Sequence, residues 1–179
     1  SNAARLLFAN VFEAGKKVYV EKATLVRIPT RLGVDVYSGN MISSDRADKL
    51  IKTLTAFKLL IDVYSPIEYD ACATAAMREA VNGMEVLNRI RDEVGFKVRL
   101  IDGIEEANII RRTNKIGFEQ PDNLTMYVDV GGGSTDISVM NNNEILDVKS
   151  FKIGTIRLLK NKVKESEWDR LQELLKQYS

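Results

Sequence analysis

Fourteen residues constrain this chain's fold more than any others: Tyr127, Val128, Asp129, Val130, Gly131, Gly132, Gly133, Ser134, Thr135, Asp136, Ile137, Ser138, Val139 and Met140. An apolar strand carrying an acid breaks at three consecutive glycines, and an alternating strand resumes after a Ser-Thr-Asp cluster. Three glycines in a row let backbone N–H groups converge and let a large anion approach without Cβ interference. The flanking Asp129 and Asp136 are placed to hold a divalent cation or to orient a water beside that anion. The bland alternative is a tight glycine turn between two strands, followed by a solvated acid. The run is not a common nucleotide loop. It has no Gly-x-x-x-x-Gly-Lys-Ser/Thr, no Gly-x-Gly-x-x-Gly leads from a strand into a helix, and its glycines join strand to strand.

Composition narrows the chemistry. Histidine is absent, which removes Ser-His-Asp triads, Cys-His dyads and His-ligated zinc, so acid–base work falls to carboxylates. Cys72 is the only cysteine, which excludes an internal disulfide or a Cys-rich metal site and fits a reducing compartment. A net charge of +1 on 179 residues gives no global basic field, so no nucleic-acid partner is expected and a polyanion would need a local basic cluster. No apolar run reaches membrane-spanning length and no signal-like segment opens the chain, so a cytoplasmic protein without a membrane partner is expected.

Periodicity predicts strands over 5–12 and 17–29, with a turn at Glu13-Ala14-Gly15-Lys16. Ser43-Ser44-Asp45 offers N-cap chemistry to a long helix carrying Ala47, Leu50, Ile51, Leu54, Phe57, Leu60 and Ile61, ending near Ser65-Pro66. A strand over 67–73, a helix from Thr74 to about Val94 with Gly83 as its weak point, a strand over 97–101 and a helix over 104–113 follow. That succession argues for α/β architecture with parallel pairing. Residues 115–123, with Gly117 and Pro121, read as a linker, dividing the chain into units 1–120 and 121–179. Strands over 124–130, 135–140 and 144–151 come next, the last two joined by an Asn141-Asn142-Asn143 turn, then helices from Gly154 and from Glu165.

Gly103-Ile104-Glu105-Glu106-Ala107 sets two adjacent carboxylates where a strand gives way to a helix. Acids in a first helical turn are favourable with the helix dipole and are commonly solvated. Arg78, in Thr74-Ala75-Ala76-Met77-Arg78, suits a phosphate oxygen through its planar fork, or pairs on the surface with Glu79. Arg111-Arg112 and Lys160, Lys162 and Lys164 read as solvated faces, Cys72 as a buried strand residue, and Trp168 as a partial core anchor.

Asp-x-Gly-Gly-Gly-Ser-Thr-Asp resembles the second phosphate loop of the actin-like ATPase superfamily, and more narrowly that of the exopolyphosphatase / guanosine pentaphosphate phosphohydrolase (Ppx/GppA) family. The resemblance extends along the chain in family order. Ser1-Asn2-Ala3 with Arg5-Leu6 resembles the end of the first phosphate loop, although Ser1-Asn2-Ala3 also matches a cleaved-tag remnant. Arg31-Leu32-Gly33, Thr74-x-x-x-Arg78, Gly103-x-Glu105-Glu106-Ala107 and Gly154-x-x-Arg157-Leu158 follow.

The resemblance implies two actin-like (ribonuclease H-like) mixed-sheet domains, the first nearly complete but lacking its opening strand, the second cut short. It implies hydrolysis of terminal phosphates of inorganic polyphosphate or guanosine pentaphosphate in an interdomain cleft, assisted by Mg²⁺. It assigns the water-activating base to Glu106, and cleft-facing roles to Arg78 and Asp136. Phosphate contacts fall to Ser1, Asn2, Arg5, Gly131, Gly132, Gly133, Ser134 and Thr135, metal contacts to Asp129 and Asp136. A helix starting at Gly154 would aim further amides at anions. The family's loop usually ends in glutamate, so Asp136 has one methylene less reach. Uncovered apolar surface on a truncated second domain implies self-association, with a homodimer expected. Two other readings follow from the same residues: a sensor that binds a phosphorylated alarmone without turnover, and an ATP-dependent kinase of the same superfold.

Overall fold

The computed structural model describes residues 3–15, 17–113, 124–141 and 144–178. Ser1, Asn2, the expected linker and the tip of the Asn141-Asn142-Asn143 turn lie outside the described residues.

Strands β1 (Ala4–Ala14) and β2 (Lys17–Ile28) form an antiparallel ribbon with a register shift between Phe8 and Ala9. Its inner face turns Leu6, Phe8, Val26 and Ile28 toward helix α2 (Ser44–Tyr64), where the Phe8 ring stacks on Tyr64 with centroids 4.0 Å apart. Helix α2 buries Ala47, Leu50, Ile51 and Phe57, the stripe its periodicity predicts, and stops where Ser65 adopts a left-handed conformation before Pro66. The short helix α1 (Leu32–Gly39) precedes it, bounded by Arg31 and Asn40, both left-handed.

Strands β3 (Cys72–Ala73) and β4 (Arg99–Leu100) pair in parallel, as the strand–helix–strand order predicts, but only over two residues each. They are shorter than the predicted 67–73 and 97–101 because each has a ladder partner only there. Cys72 is exposed, not buried. The helix predicted over 74–94 is three pieces: α3 (Ala75–Glu79), α4 (Gly83–Arg89) and a terminal π-helical turn (Ile90–Val94). The break has a steric origin. Gly83 starts α4 so close to α3 that a Cβ would lie 2.1 Å from the Met77 carbonyl oxygen. The ribbon and the parallel pair lie against one core, built on Val36, Tyr37, Ile51, Phe57, Met77 and Ile90.

Helix α5 (Gly103–Thr113) leads out of this half. The second half is an antiparallel meander, β5 (Leu124–Val130), β6 (Thr135–Asn141) and β7 (Glu144–Phe151), with helices α6 (Thr155–Leu159) and α7 (Glu165–Gln177). Its core is Ile137, Val139, Phe151, Ile153 and Leu174, with Trp168 half-buried against it as expected. Among the described residues no helix is long and apolar enough to cross a membrane.

Candidate active site

The site lies where α3 and the start of α5 meet the glycine loop between β5 and β6. Asp102 caps α5: its carboxylate accepts the Glu105 amide at 2.7 Å, and its carbonyl accepts the Glu106 amide at 3.0 Å. Asp102 with Glu105 three positions on is a capping signature that the sequence reading passed over.

The two adjacent glutamates then part. Glu105 turns outward to Arg99, 2.7 Å away, whose guanidinium also grips Asp70 at 2.6 Å. Glu106 turns inward and is half-buried, hydrogen-bonded by the Thr74 hydroxyl and facing Arg78 and Asp136. Burial and the Asp136 carboxylate push the Glu106 pKa up, against the opposing pull of Arg78 and Thr74. Thr74, the N-cap of α3, and Arg78 stand one turn apart, which explains their spacing. Arg78 does not pair with Glu79; it donates to the Ile101 carbonyl and stays within electrostatic reach of both Glu106 and Asp136.

Asp136 is only 7% exposed. The registers align Asp129, Asp136 and Ser150 in one row across β5, β6 and β7. Ser134 Oγ donates to Asp136 Oδ2 at 3.1 Å, whereas Oδ1 is buried without a hydrogen-bond partner among the described residues. Burial and the facing Asp129 carboxylate raise the Asp136 pKa, opposed by the Ser150 and Ser134 hydroxyls and by Arg78.

The glycine loop divides its backbone groups between two tasks. Its carbonyls turn toward α6. Gly131 O accepts Thr155 N at 3.0 Å, Gly132 O accepts Ile156 N at 2.9 Å, and Gly133 O accepts Arg157 Nε at 2.6 Å. The α6 N-terminus therefore fixes the loop and does not present those amides to an anion, contrary to the sequence reading. Gly131 N–H closes the turn onto Ser134 O at 2.8 Å, and the Thr135 hydroxyl donates to Ile153 O at 2.7 Å. Neither of those hydrogens is open to a phosphate. The amides of Gly132, Gly133 and Ser134 have no backbone acceptor among the described residues; Gly132 and Ser134 are partly exposed, whereas Gly133 is buried. Tyr37 buttresses the loop from α1, since a Cβ on Gly133 would lie 1.7 Å from its hydroxyl.

Arg5 does not join this constellation: it is exposed on β1 opposite Arg27 and makes no hydrogen bond or ion pair with the site residues among those described. Arg31 serves as the left-handed residue before α1. Ser150 and Tyr37 were missed in sequence because each acts through a partner far along the chain; Asp102 caps residues only three and four positions on and had a local signal, and Thr74 was seen in its motif without a role.

The raised carboxyl pKa values have a consequence for stability. The folded state holds the Asp136 proton more tightly than the unfolded chain, so stability falls as pH rises from the ordinary value of 3.8 through the raised one. Asp136→Asn removes that penalty. Its melting temperature is expected above that of the unsubstituted chain at pH 7, with the gain vanishing below pH 3.8. Calorimetry at the two pH values checks this, and a lower melting temperature at pH 7 would refute it.

Residues 21–174 match the family model of the Ppx/GppA phosphatase family. The bifunctional 3-dehydroquinate synthase/phosphatase of Fusobacterium nucleatum is 27% identical over 195 aligned positions, covering 97% of this chain and 29% of that protein. Exopolyphosphatase 1 of Mycobacterium leprae is 29% identical over 160 positions, covering 88% of this chain and 46% of that protein. The chain thus spans less than half the length of these curated relatives. A crystal structure of an exopolyphosphatase from Cytophaga hutchinsonii superposes with a TM-score of 0.80 at 28% identity, covering 89% of this chain and 50% of that one. That likeness carries a mixed α/β fold shared with members of this family, in line with the architecture the motif order implied. Matched by the family model over residues 21–174, the chain belongs to the Ppx/GppA phosphatase family.

Proposed function

We propose that the intact protein removes terminal phosphates from inorganic polyphosphate or guanosine pentaphosphate, with Glu106 as the base that activates the attacking water. The observation that carries this reading is the separation of the two glutamates. Glu105 is held by Arg99 at the surface, while Glu106 is half-buried beside Arg78 and Asp136 with its proton affinity raised toward the range useful for a base.

The terminal phosphate sits against the amides of Gly132, Gly133 and Ser134, with the Arg78 guanidinium on an equatorial oxygen. Glu106 takes a proton from water as the water oxygen bonds to phosphorus. The bridging P–O bond breaks on the opposite side, leaving one inorganic phosphate and a chain shortened by one. Without a bound cation, the Asp136 charge makes proton loss from Glu106 harder; a cation on Asp136 would lessen that effect.

The donor set suits Mg²⁺. It is all oxygen, and the buried, unpartnered Asp136 Oδ1 is an acceptor that a hydrated cation would satisfy. Asp136 and Asp129 are the residues proposed to hold it. Among the described residues no three carboxylates converge on one point, so waters and phosphate oxygens would fill the remaining positions. When bound, Mg²⁺ supplies charge neutralisation on the phosphate oxygens.

The test is phosphate release by the intact protein from polyphosphate, guanosine pentaphosphate and ATP. Release from one of the first two is expected to stop on chelation with EDTA and return with added Mg²⁺. Undiminished release in EDTA would remove the metal, and no release from any substrate with Mg²⁺ present would remove the hydrolase.

A further inference from the structure

Arg157 takes no part in the reaction as proposed, yet it is among the most heavily engaged side chains in the molecule. Its side chain is 11% exposed. Nε donates to Gly133 O at 2.6 Å, Nη2 to the Glu79 carboxylate, and the guanidinium lies over the Tyr37 ring, 4.4 Å from its centroid. Gly133 belongs to the second half of the chain, whereas Tyr37 and Glu79 belong to the first. The planar fork is what allows one side chain to bridge a carbonyl and a carboxylate while stacking on a ring.

The placement of Glu79 gives this contact its consequence. Its neighbour Arg78, on the same turn of α3, faces Glu106 and Asp136, while Glu79 faces Arg157. Gly133 O, the carbonyl that Arg157 holds, belongs to the same peptide group as Ser134 N–H, and Gly133 N–H lies on the other side of the same residue. A shift of α3 relative to the loop therefore moves Arg78 and changes the hold on Gly133 together.

We propose that Arg157 is a positioning residue, a latch that locks the register of the glycine loop to α3, so that the loop's phosphate donors and Arg78 are set as one unit. The proposal rests on the phosphate-site reading above. Arg157 touches no reacting atom and acts through Gly133 and Glu79.

Binding of tripolyphosphate by calorimetry, with non-hydrolysing conditions kept by EDTA, separates this proposal from the hydrolase assignment, because it needs no turnover. Arg157→Met and Glu79→Gln are each expected to weaken tripolyphosphate binding by about tenfold, and the double variant by no more than the worse single one. Arg157→Lys keeps a positive charge but cannot bridge both partners, and is expected to restore less than half of the loss in log affinity. In turnover assays the same variants are expected to lose kcat/KM in parallel with binding. Unchanged affinity in Arg157→Met, additive losses in the double variant, or full rescue by lysine would each overturn the latch. Should Arg157→Met fail to fold, Arg157→Lys and Glu79→Gln supply the same cycle. Retained coupling in binding with no phosphate release from any substrate would leave the latch standing and the hydrolase reading fallen.

Discussion

Replacing Glu106 with glutamine is expected to slow phosphate release from the preferred substrate by about 10²–10⁴-fold, the range over which a positioned base contributes. Glutamine matches the shape of glutamate and still accepts the Thr74 hydroxyl, but it cannot take a proton from water. Binding should survive, because the proposed grip lies in the loop amides and Arg78. The fold should gain at neutral pH, since the ionised Glu106 is held against burial and the Asp136 charge. The sign follows from the raised pKa: folded-state protonation is favoured, so stability declines as pH climbs through that value, and glutamine is spared the decline. Loss of activity with a raised melting temperature is the signature of a functional group retained at the expense of stability. Glu105→Gln is the control. Its carboxylate and Arg99 are both well exposed, a setting in which ion pairs contribute about 0–1 kcal/mol, and turnover should stay within about twofold. Equal activity in Glu106→Gln and the unsubstituted protein would end the assignment of the base.

What was legible in sequence follows from how local each determinant is. The three strands of the second half fall within a residue of their predicted bounds, since alternation marks each strand and glycine or asparagine punctuates the turns. Helix α2 was equally legible, with an apolar stripe, a serine before it and a proline after it. The losses are at non-local determinants. Helix α1 has eight residues and is bounded by Arg31 and Asn40 in left-handed conformations; asparagine is a usual residue there, but Arg31 gives no such signal. The break between α3 and α4 depends on Gly83 meeting the Met77 carbonyl across the bend. At the site, residue type and motif order placed Glu106, Arg78 and the glycine loop in one region. Residue type alone could not sort Glu105 from Glu106, and only the family resemblance pointed to Glu106; in the fold, Glu105 is held outward by Arg99, which also grips Asp70, 29 residues away in sequence. Nor could residue type and motif order say which loop groups are taken up within the fold. That division depends on α6, whose amides take two loop carbonyls and whose Arg157 takes the third.

The same division makes Gly154 a sensitive position outside the loop itself. Gly154 lies in extended conformation immediately before α6, and a Cβ there would stand 2.5 Å from Gly132 O and 2.6 Å from the carbonyl carbons of Gly132 and Gly133. All three are backbone atoms, so no side-chain rotation relieves the overlap. Gly154→Ala must therefore push the loop and α6 apart, stretching the Thr155–Gly131, Ile156–Gly132 and Arg157–Gly133 contacts at once. Overpacking of this kind costs about 1–3 kcal/mol in stability. The larger effect falls on function. Misplacing reacting groups by about 1 Å can lower a rate about 10²-fold, and here the displaced atoms belong to the peptides that carry the Gly133 and Ser134 amides. Gly154→Ala is thus expected to stay folded with a melting temperature several degrees lower, while tripolyphosphate affinity and phosphate release fall together by about 10²-fold. Calorimetric binding beside a thermal melt checks both halves. Normal affinity in a folded Gly154→Ala protein would mean that the loop amides are not the phosphate's donors, and the grip would have to be sought in Arg78 and bound cation alone.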